Sequence, residues 1–200
     1  MAKEGLPFIL VALAIAGIFA IFGLWIGVVA LVLVAAFLAY FFRDPHRTVP
    51  ANGDTILAAA DGRVTRITNC DDGTLVSVFM SPFDVHINRS PITGTITDIV
   101  YAKGRKLPAT RNEASYENER NTLIIEGEGV TVSCTQIAGI MARRIVCWPK
   151  IGDKLERGER FGLIKFSSRT DVLVPAGYKV TVNIGDHVRG GETIIARIIS

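Results

Sequence analysis

A nine-residue motif occurs twice in this chain and decides its fold. Residues 151–159 read Ile-Gly-Asp-Lys-Leu-Glu-Arg-Gly-Glu, and residues 184–192 read Ile-Gly-Asp-His-Val-Arg-Gly-Gly-Glu. Glycine adopts a positive φ angle at no steric cost, and tight turns require that angle. Each copy therefore predicts a turn between short strands, and the repeat predicts two related hairpins.

The chain around the two motifs has the periodicity of strands. Alternating or β-branched runs are separated by Gly, Asn, Asp and Pro about every ten residues. These runs are 74–80, 93–100, 122–125, 130–136 and 178–184. Helix is expected only as a turn near 112–118. Both motif copies resemble the Gly-Asp turns of lipoyl and biotinyl domains. We therefore predict a mainly β fold, a flattened β-barrel or sandwich with lipoyl-like hairpin repeats.

The N-terminal part has the composition of a membrane segment. No charged residue lies between Gly5 and Phe42, and residues 7–42 are apolar or small. One straight helix of that length would measure about 54 Å, whereas the hydrocarbon core of a bilayer is about 30 Å thick. We therefore predict a transmembrane helical hairpin, a membrane anchor over 1–45, with its turn at 23–27. Residues 46–200 then form one domain.

The basic residues that flank this segment predict its orientation. Lys3 precedes the apolar region, and Arg43 and Arg47 follow it. Basic flanks stay on the cytoplasmic side, so we expect a cell-membrane protein whose domain 46–200 is cytoplasmic. A cleaved signal peptide is the alternative, but the apolar region is too long for one and lacks a clear cleavage site.

Charge and cysteine content exclude some classes of protein. The chain has 22 basic and 19 acidic residues, a net charge of +3. That excess suits an anionic membrane surface but is too small to suggest nucleic acid. The three cysteines, Cys70, Cys134 and Cys147, are scattered without Cys-x-x-Cys spacing. We expect buried free thiols, with neither disulfides nor a metal site.

A serine pair lies close to the C-terminus. Residues 158–169 read Gly-Glu-Arg-Phe-Gly-Leu-Ile-Lys-Phe-Ser-Ser-Arg. This run resembles the processing site of the phosphatidylserine decarboxylases, in particular their short bacterial and archaeal members. Further blocks resemble the family in the same order: 41–45, 59–64, 80–89, 117–121 and 136–145. One position departs from the pattern, because Ser167 stands where the family usually has glycine.

The resemblance implies a self-processing enzyme. The chain would cut itself between Ser167 and Ser168, giving a β chain, 1–167, and an α chain, 168–200. Ser168 would become a pyruvoyl group that forms a Schiff base with the substrate amine, without pyridoxal phosphate or a metal. The reaction would convert phosphatidylserine to phosphatidylethanolamine and CO₂ in phospholipid biosynthesis. Archaetidylserine, an ether lipid with the same head group, is the alternative substrate.

The chemistry needs a base, since a serine hydroxyl is a weak nucleophile. Of the three histidines, His86 lies in a block that resembles the family's histidine block, whereas His46 and His187 are expected to be exposed. Asp61 resembles the aspartate that completes the family's Asp/His/Ser set. Asp84 is a second candidate for orienting or acid/base work.

Three arginines are candidates for the lipid phosphate, Arg143, Arg144 and Arg169, because guanidinium groups bind phosphate oxygens bidentately. Solvated surface charge is the alternative for each of them. The predicted partners are the membrane, its phospholipid and the α and β chains of one precursor. The resemblance also implies a homodimer as one option. Two other interpretations stay open at this point, a membrane-anchored lipoyl-like adaptor and an inactive paralogue.

Overall fold

The computed structural model describes residues 1–51, 53–105, 107–111, 113–140, 144–165 and 168–199. The chain forms two compact units, Met1–His46 and Arg47–Ser200. The first is helical and the second is mainly β, which confirms the predicted fold class.

The helical unit is a pair of apolar helices. A short 3₁₀-helix, Lys3–Gly5, leads into α1, Leu6–Ile21, and α2 spans Trp25–Phe41. The chain reverses at Gly23, whose φ is +71°. The predicted turn at 23–27 was therefore too long, because its last residues already belong to α2. The stretch Lys3–Ile21 is long and apolar enough to cross a membrane, and Trp25–Phe41 is a shorter apolar helix.

The second unit contains fourteen strands within its described residues. They are β1 Thr55–Leu57, β2 Gly62–Cys70, β3 Gly73–Met80, β4 Ile87–Arg89, β5 Gly94–Ala102, β6 Arg120–Gly127, β7 Val130–Ala138, β8 Arg144–Cys147, β9 Lys154–Leu155, β10 Arg160–Lys165, β11 Ser168–Pro175, β12 Tyr178–Val180, β13 His187–Val188 and β14 Ile194–Ile198. A one-turn helix, α3, covers Ala114–Glu117, where the sequence predicted a turn. The last predicted strand, 178–184, ends early, at Val180.

The strands form one large sheet and two small ones. The large sheet has the order β13-β2-β3-β11-β7-β6-β5-β9, and the small sheets have the orders β1-β14-β12 and β4-β10-β8. All pairs between these strands are antiparallel. The order is symmetric about the centre of the large sheet, where β11 lies beside β7. Ser168 is at the end of one of these two central strands.

The repeated motif generates this symmetry. In one copy Gly152 N donates to Ile96 O at 2.8 Å, and Ile96 N donates to Asp153 O at 2.9 Å. In the other copy Gly185 N donates to Val64 O at 2.8 Å, and Val64 N donates to Asp186 O at 2.9 Å. The two motifs therefore hold equivalent edge strands, β9 and β13. The strands that flank each motif pair with each other, β8 with β10 and β12 with β14, so the predicted hairpin repeat is confirmed.

Buried apolar residues from the sheets form one core, which includes Val76, Ile96, Val132 and Phe161. Cys134 belongs to this core, and its burial strongly raises the pKa of its thiol. All three cysteines are free, but Cys70 is exposed and Cys147 is half-buried. The prediction of free thiols is therefore correct, and the prediction that all three are buried is wrong.

Candidate active site

Ser168 is the first residue of β11 and is held from both sides. Its backbone pairs with Met80 of β3 and with Ala138 of β7. The residue is fully buried, and its Oγ donates to Met80 Sδ at 3.8 Å. A thioether is a weak acceptor, so a stronger base can take the hydroxyl proton. Ser167, on the other side of the predicted cleavage bond, lies outside the described residues.

His86 is buried just before β4, and a backbone carbonyl fixes the tautomer of its ring. Its Nδ1 lies 3.0 Å from the carbonyl oxygen of Asp84. A carbonyl oxygen only accepts, so Nδ1 must carry the hydrogen, and in the neutral ring Nε2 is then the basic nitrogen. The carbonyl oxygen of His86 accepts from Ile164 N at 3.3 Å. His86 therefore lies beside β10, the strand that leads to the predicted cleavage site.

The carboxylate of Asp84 has different partners from its carbonyl. Its Oδ2 accepts hydrogen bonds from Ser81 N at 2.8 Å and from Ser81 Oγ at 2.6 Å. Its Oδ1 lies 3.0 Å from Nε2 of His187. Asp84 thus orients His86 through its backbone, while its side chain closes the turn at 81–84. His187 is exposed, as predicted, but the sequence did not predict its contact with Asp84.

Asp61 lies in a buried ionic contact. Its Oδ1 accepts from Gly190 N at 2.9 Å, and its Oδ2 lies 2.6 Å from a terminal nitrogen of Arg47. Burial raises the pKa of Asp61, and the charge of Asp84 raises it further, whereas Arg47 and Gly190 oppose this rise. Arg47 also contacts Glu192 at 3.2 Å. The structure therefore places Arg47 in this ionic cluster, where the sequence had suggested only a basic flank of the membrane segment.

A series of hydrogen bonds between buried side chains begins at Thr170, two residues after Ser168, and continues through three amide side chains. The Oγ1 of Thr170 accepts from Asn88 Nδ2 at 2.8 Å, and Asn88 Oδ1 accepts from Gln136 Nε2 at 2.9 Å. Asn121 Nδ2 then donates to Gln136 Oε1 at 3.2 Å. All of these residues are buried. This chain of hydrogen bonds, the amide chain, links Ser168's strand to three separate segments.

Comparison with known proteins identifies the family of this chain. A family model described as phosphatidylserine decarboxylase matches residues 34–196. The chain belongs to the phosphatidylserine decarboxylase family. A phosphatidylserine decarboxylase proenzyme from Nitrosomonas eutropha is 46% identical, over 98% of this chain and 94% of its own length. The proteins of the same name from Nitratidesulfovibrio vulgaris and Geotalea daltonii are 44% and 42% identical over 98% of this chain, and the alignments cover 94% and 95% of their lengths.

Two of the decarboxylase family blocks contact Ser168 directly, through Met80 of the block 80–89 and Ala138 of the block 136–145. Met80 and His86 come from the block 80–89, Asp61 from 59–64 and Gln136 from 136–145. The charge of Asp84 acts on Asp61, whose hydrogen bonds are to Arg47 and Gly190. The carbonyl oxygen of Asp84 contacts Nδ1 of His86. Among the described residues, no group of three or more His, Cys, Asp or Glu could hold a metal ion.

The three candidate phosphate-binding arginines have different environments. Arg169 is 1% exposed, its Nε lies 2.8 Å from Asp171 Oδ1, and it donates to the carbonyl oxygens of Ala109 and Arg111. Arg144 begins β8 and is exposed. Arg143 lies outside the described residues. Phosphate binding stays a prediction for all three, and Arg144 is the candidate whose exposure suits it.

Sequence reasoning assigned no role to several residues of this decarboxylase site. They are Asn88, Asn121, Gln136, Thr170 and His187. Asn88, Asn121 and Gln136 lie within the family blocks, and each is an amide residue inside a strand and buried. Buried polar groups need hydrogen-bond partners, so this pattern was the available signal. The identity of each partner was not available from the sequence.

Proposed function

We propose that this chain is a self-processing decarboxylase that converts phosphatidylserine to phosphatidylethanolamine and CO₂. Family membership supports the substrate and the reaction. For this chain, the observation that carries the proposal is the position of Ser168, which is fully buried at the start of β11 and fixed between β3 and β7. The adaptor and the inactive paralogue are not favoured.

The maturation reaction uses the hydroxyl of Ser168. Its Oγ attacks the carbonyl carbon of Ser167, the peptide C–N bond breaks, and an ester and a free α-amine result. A base then removes the α-proton of Ser168, and the carboxylate of Ser167 leaves with the ester oxygen. The dehydroalanine that remains takes up water and releases ammonia, which gives the pyruvoyl end. His86 supports these steps, since its tautomer leaves Nε2 as a base.

The residues around Ser168 suit a prosthetic group made in place. Because the group forms from Ser168 itself, it needs no separate binding pocket, and pairing of β11 with β3 and β7 would hold it after cleavage. The pyruvoyl carbonyl supplies an electrophile that captures the substrate amine and accepts the electrons left by CO₂. His86 and Asp84 are the candidates that return a proton to Cα of the product. Arg144 is the candidate for the lipid phosphate.

The helical unit supports a membrane location for this reaction. Its first helical stretch, Lys3–Ile21, is long enough to cross a membrane, and the second apolar helix follows after a short turn. We infer that the unit anchors the enzyme in the cell membrane, with the basic residues Lys3 and Arg43 on the cytoplasmic side. The catalytic domain would then meet its lipid at the cytoplasmic surface.

The first experiment examines the full-length protein after purification in detergent. A denaturing gel and the intact mass should show two chains in place of one 21.7 kDa chain, with the smaller one beginning at a pyruvoyl group derived from Ser168. The Ser168→Ala variant should stay uncut. A wild-type protein that remains one chain after prolonged incubation would contradict the proposal.

A second experiment identifies the substrate. Wild type and Ser168→Ala are compared on mixed micelles of detergent with phosphatidylserine or with archaetidylserine, and release of CO₂ is measured. We expect release from phosphatidylserine by the wild type alone. Faster turnover of the ether lipid would assign archaetidylserine instead, and no release from either lipid by cleaved protein would contradict a decarboxylase.

A further inference from the structure

Asn88 and Thr170 join the segment that contains His86 to the strand that begins at Ser168, although neither residue has an assigned catalytic role. Asn88 follows His86 by two positions, and Thr170 follows Ser168 by two positions. Asn88 Nδ2 donates to Thr170 Oγ1 at 2.8 Å, and both residues are fully buried. The offset is the same in both segments. The hydrogen bond therefore fixes the backbone of one candidate catalytic residue relative to the backbone of the other.

The amide of Asn88 is itself held in one orientation. Gln136 Nε2 donates to Asn88 Oδ1 at 2.9 Å, so the opposite end of the Asn88 amide must be the NH₂ group that faces Thr170. Asn121 in turn donates to Gln136 Oε1 at 3.2 Å, which orients the Gln136 amide. The amides of Asn88 and Gln136 thus each use the oxygen as acceptor and the nitrogen as donor, and the direction of the series from Asn121 to Thr170 is defined.

Packing around Gln136 restricts its movement. Its Nε2 also donates to Val146 O at 3.3 Å. Gly162 of β10 lies so close that a Cβ at that position would be 2.9 Å from Gln136 Nε2. Buried side chains that are fully hydrogen-bonded and closely packed hold their neighbours in one geometry. The amide chain is therefore a rigid support between β4, β7 and β11.

We propose that Asn88, oriented by Gln136, is a positioning residue that sets the geometry of His86 relative to Ser168 and so controls the rate of self-cleavage. This inference rests on the proposed function. A misplacement of about 1 Å can slow a reaction by about a hundredfold. Loss of the Asn88–Thr170 hydrogen bond should therefore slow cleavage by at least about tenfold while the protein still folds.

The test follows conversion of full-length precursor to two chains after synthesis in a cell-free system with detergent, by denaturing gel. Thr170→Val keeps the shape of the side chain but removes the acceptor, and Thr170→Ser keeps the hydroxyl. We expect Thr170→Val and Asn88→Ala to be cleaved at least about tenfold more slowly than wild type, and Thr170→Ser to be cleaved within about threefold of wild type. The double variant Asn88→Ala/Thr170→Val should be no slower than the slower single variant, since the hydrogen bond that Thr170→Val removes is already lost in Asn88→Ala.

A matched control separates positioning from general loss of stability. Val132→Ala removes buried volume from the core on β7, four residues from Gln136 and without loss of any hydrogen bond of the amide chain, and its melting temperature is compared with those of the other variants. Cleavage of Asn88→Ala or Thr170→Val at the wild-type rate would overturn the proposal. So would slowing no greater than that of Val132→Ala at an equal loss of melting temperature, or failure of Thr170→Ser to restore the rate. An uncut wild type would instead overturn the proposed function, and this inference with it.

Discussion

Nε2 of His187 lies 3.0 Å from Oδ1 of Asp84, although 103 residues separate them in the chain. The predicted cleavage would leave His187 on the α chain and Asp84 on the β chain. This contact is thus one of the links between the two products. The side chain of His187 is 57% exposed, whereas that of Asp84 is 13% exposed.

Because His187 is exposed, its contact with Asp84 contributes little to the stability of the folded protein. Exposed ion pairs contribute about 0–1 kcal/mol. We expect His187→Ala to cleave within about threefold of the wild-type rate. Asp84→Ala should cleave at least about tenfold more slowly, because it loses both hydrogen bonds from Ser81 that shape the turn before His86. Gel densitometry measures both rates, and a His187→Ala protein that stays uncut would give the pair a role in the chemistry.

His86 should be required for maturation. Its Nε2 is the basic nitrogen of a buried ring whose Nδ1 is occupied by the Asp84 carbonyl. We expect His86→Ala to accumulate uncut precursor, whereas His46→Ala cleaves normally. The ratio of precursor to product on a gel measures the effect. Normal cleavage of His86→Ala would remove this residue from maturation but leave open a role in decarboxylation.

We expect Arg169 to stabilise the fold and not to bind the substrate. Its guanidinium pairs with the buried Asp171, and removing one partner of a buried pair costs roughly 3–5 kcal/mol. We expect Arg169→Ala to lower the free energy of unfolding by about that amount in urea denaturation. Arg144→Ala, at an exposed position, should leave stability unchanged and raise KM for phosphatidylserine. The opposite pattern would identify Arg169 as the phosphate ligand.

Asp61 should make stability depend on pH. Burial raises its pKa in the folded state above the ordinary value, so the protonated form is favoured by folding. The stability gained from protonation is therefore present at low pH and is lost as pH rises through the folded pKa. Asparagine does not ionise, so Asp61→Asn removes the loss of stability at high pH, and its side-chain oxygen can still accept from Gly190 N.

The measurement uses the Ser168→Ala background, so that every sample is uncut. At pH 7 we expect the variant with Asp61→Asn to melt at the same temperature as its parent or higher, and the difference should shrink toward pH 4. A lower melting temperature at pH 7 would mean that the ion pair with Arg47 outweighs the burial of the carboxylate. Cleavage is measured separately with Ser168 intact, and we expect Asp61→Asn to impair it.

The helical unit should serve access to the lipid and not maturation. Every predicted maturation residue lies beyond Arg43, so a protein without residues 1–42 should still cut itself. A lipid with two long apolar chains is costly to lift into water. Activity of the truncated protein should therefore fall more on liposomes than on a short-chain soluble analogue. Equal activity of both proteins on liposomes would contradict the anchoring role.

The sequence by itself determined the elements of this protein. The apolar run without charges predicts the helix pair, because the length and apolar composition of a segment can be read from residues that are adjacent in the sequence. The repeated Gly-Asp motif predicts two equivalent turns for the same reason, since positive φ is a local demand on glycine. The family blocks around Ser168, His86 and Asp61 could also be read directly, because the order of residues in the chain carries the resemblance.

Only the tertiary structure decided which side chains meet. Asn88 and Thr170 are 82 residues apart, and their contact depends on the packing of β4 against β11. The burial of Arg169, the pairing of Arg47 with Asp61, and the use of the Asp84 carbonyl to orient His86 are further examples. In a strand, a shift of one residue in register moves each side chain to the other face. Partners across sheets are therefore fixed by the packing of the whole domain, which no local pattern specifies.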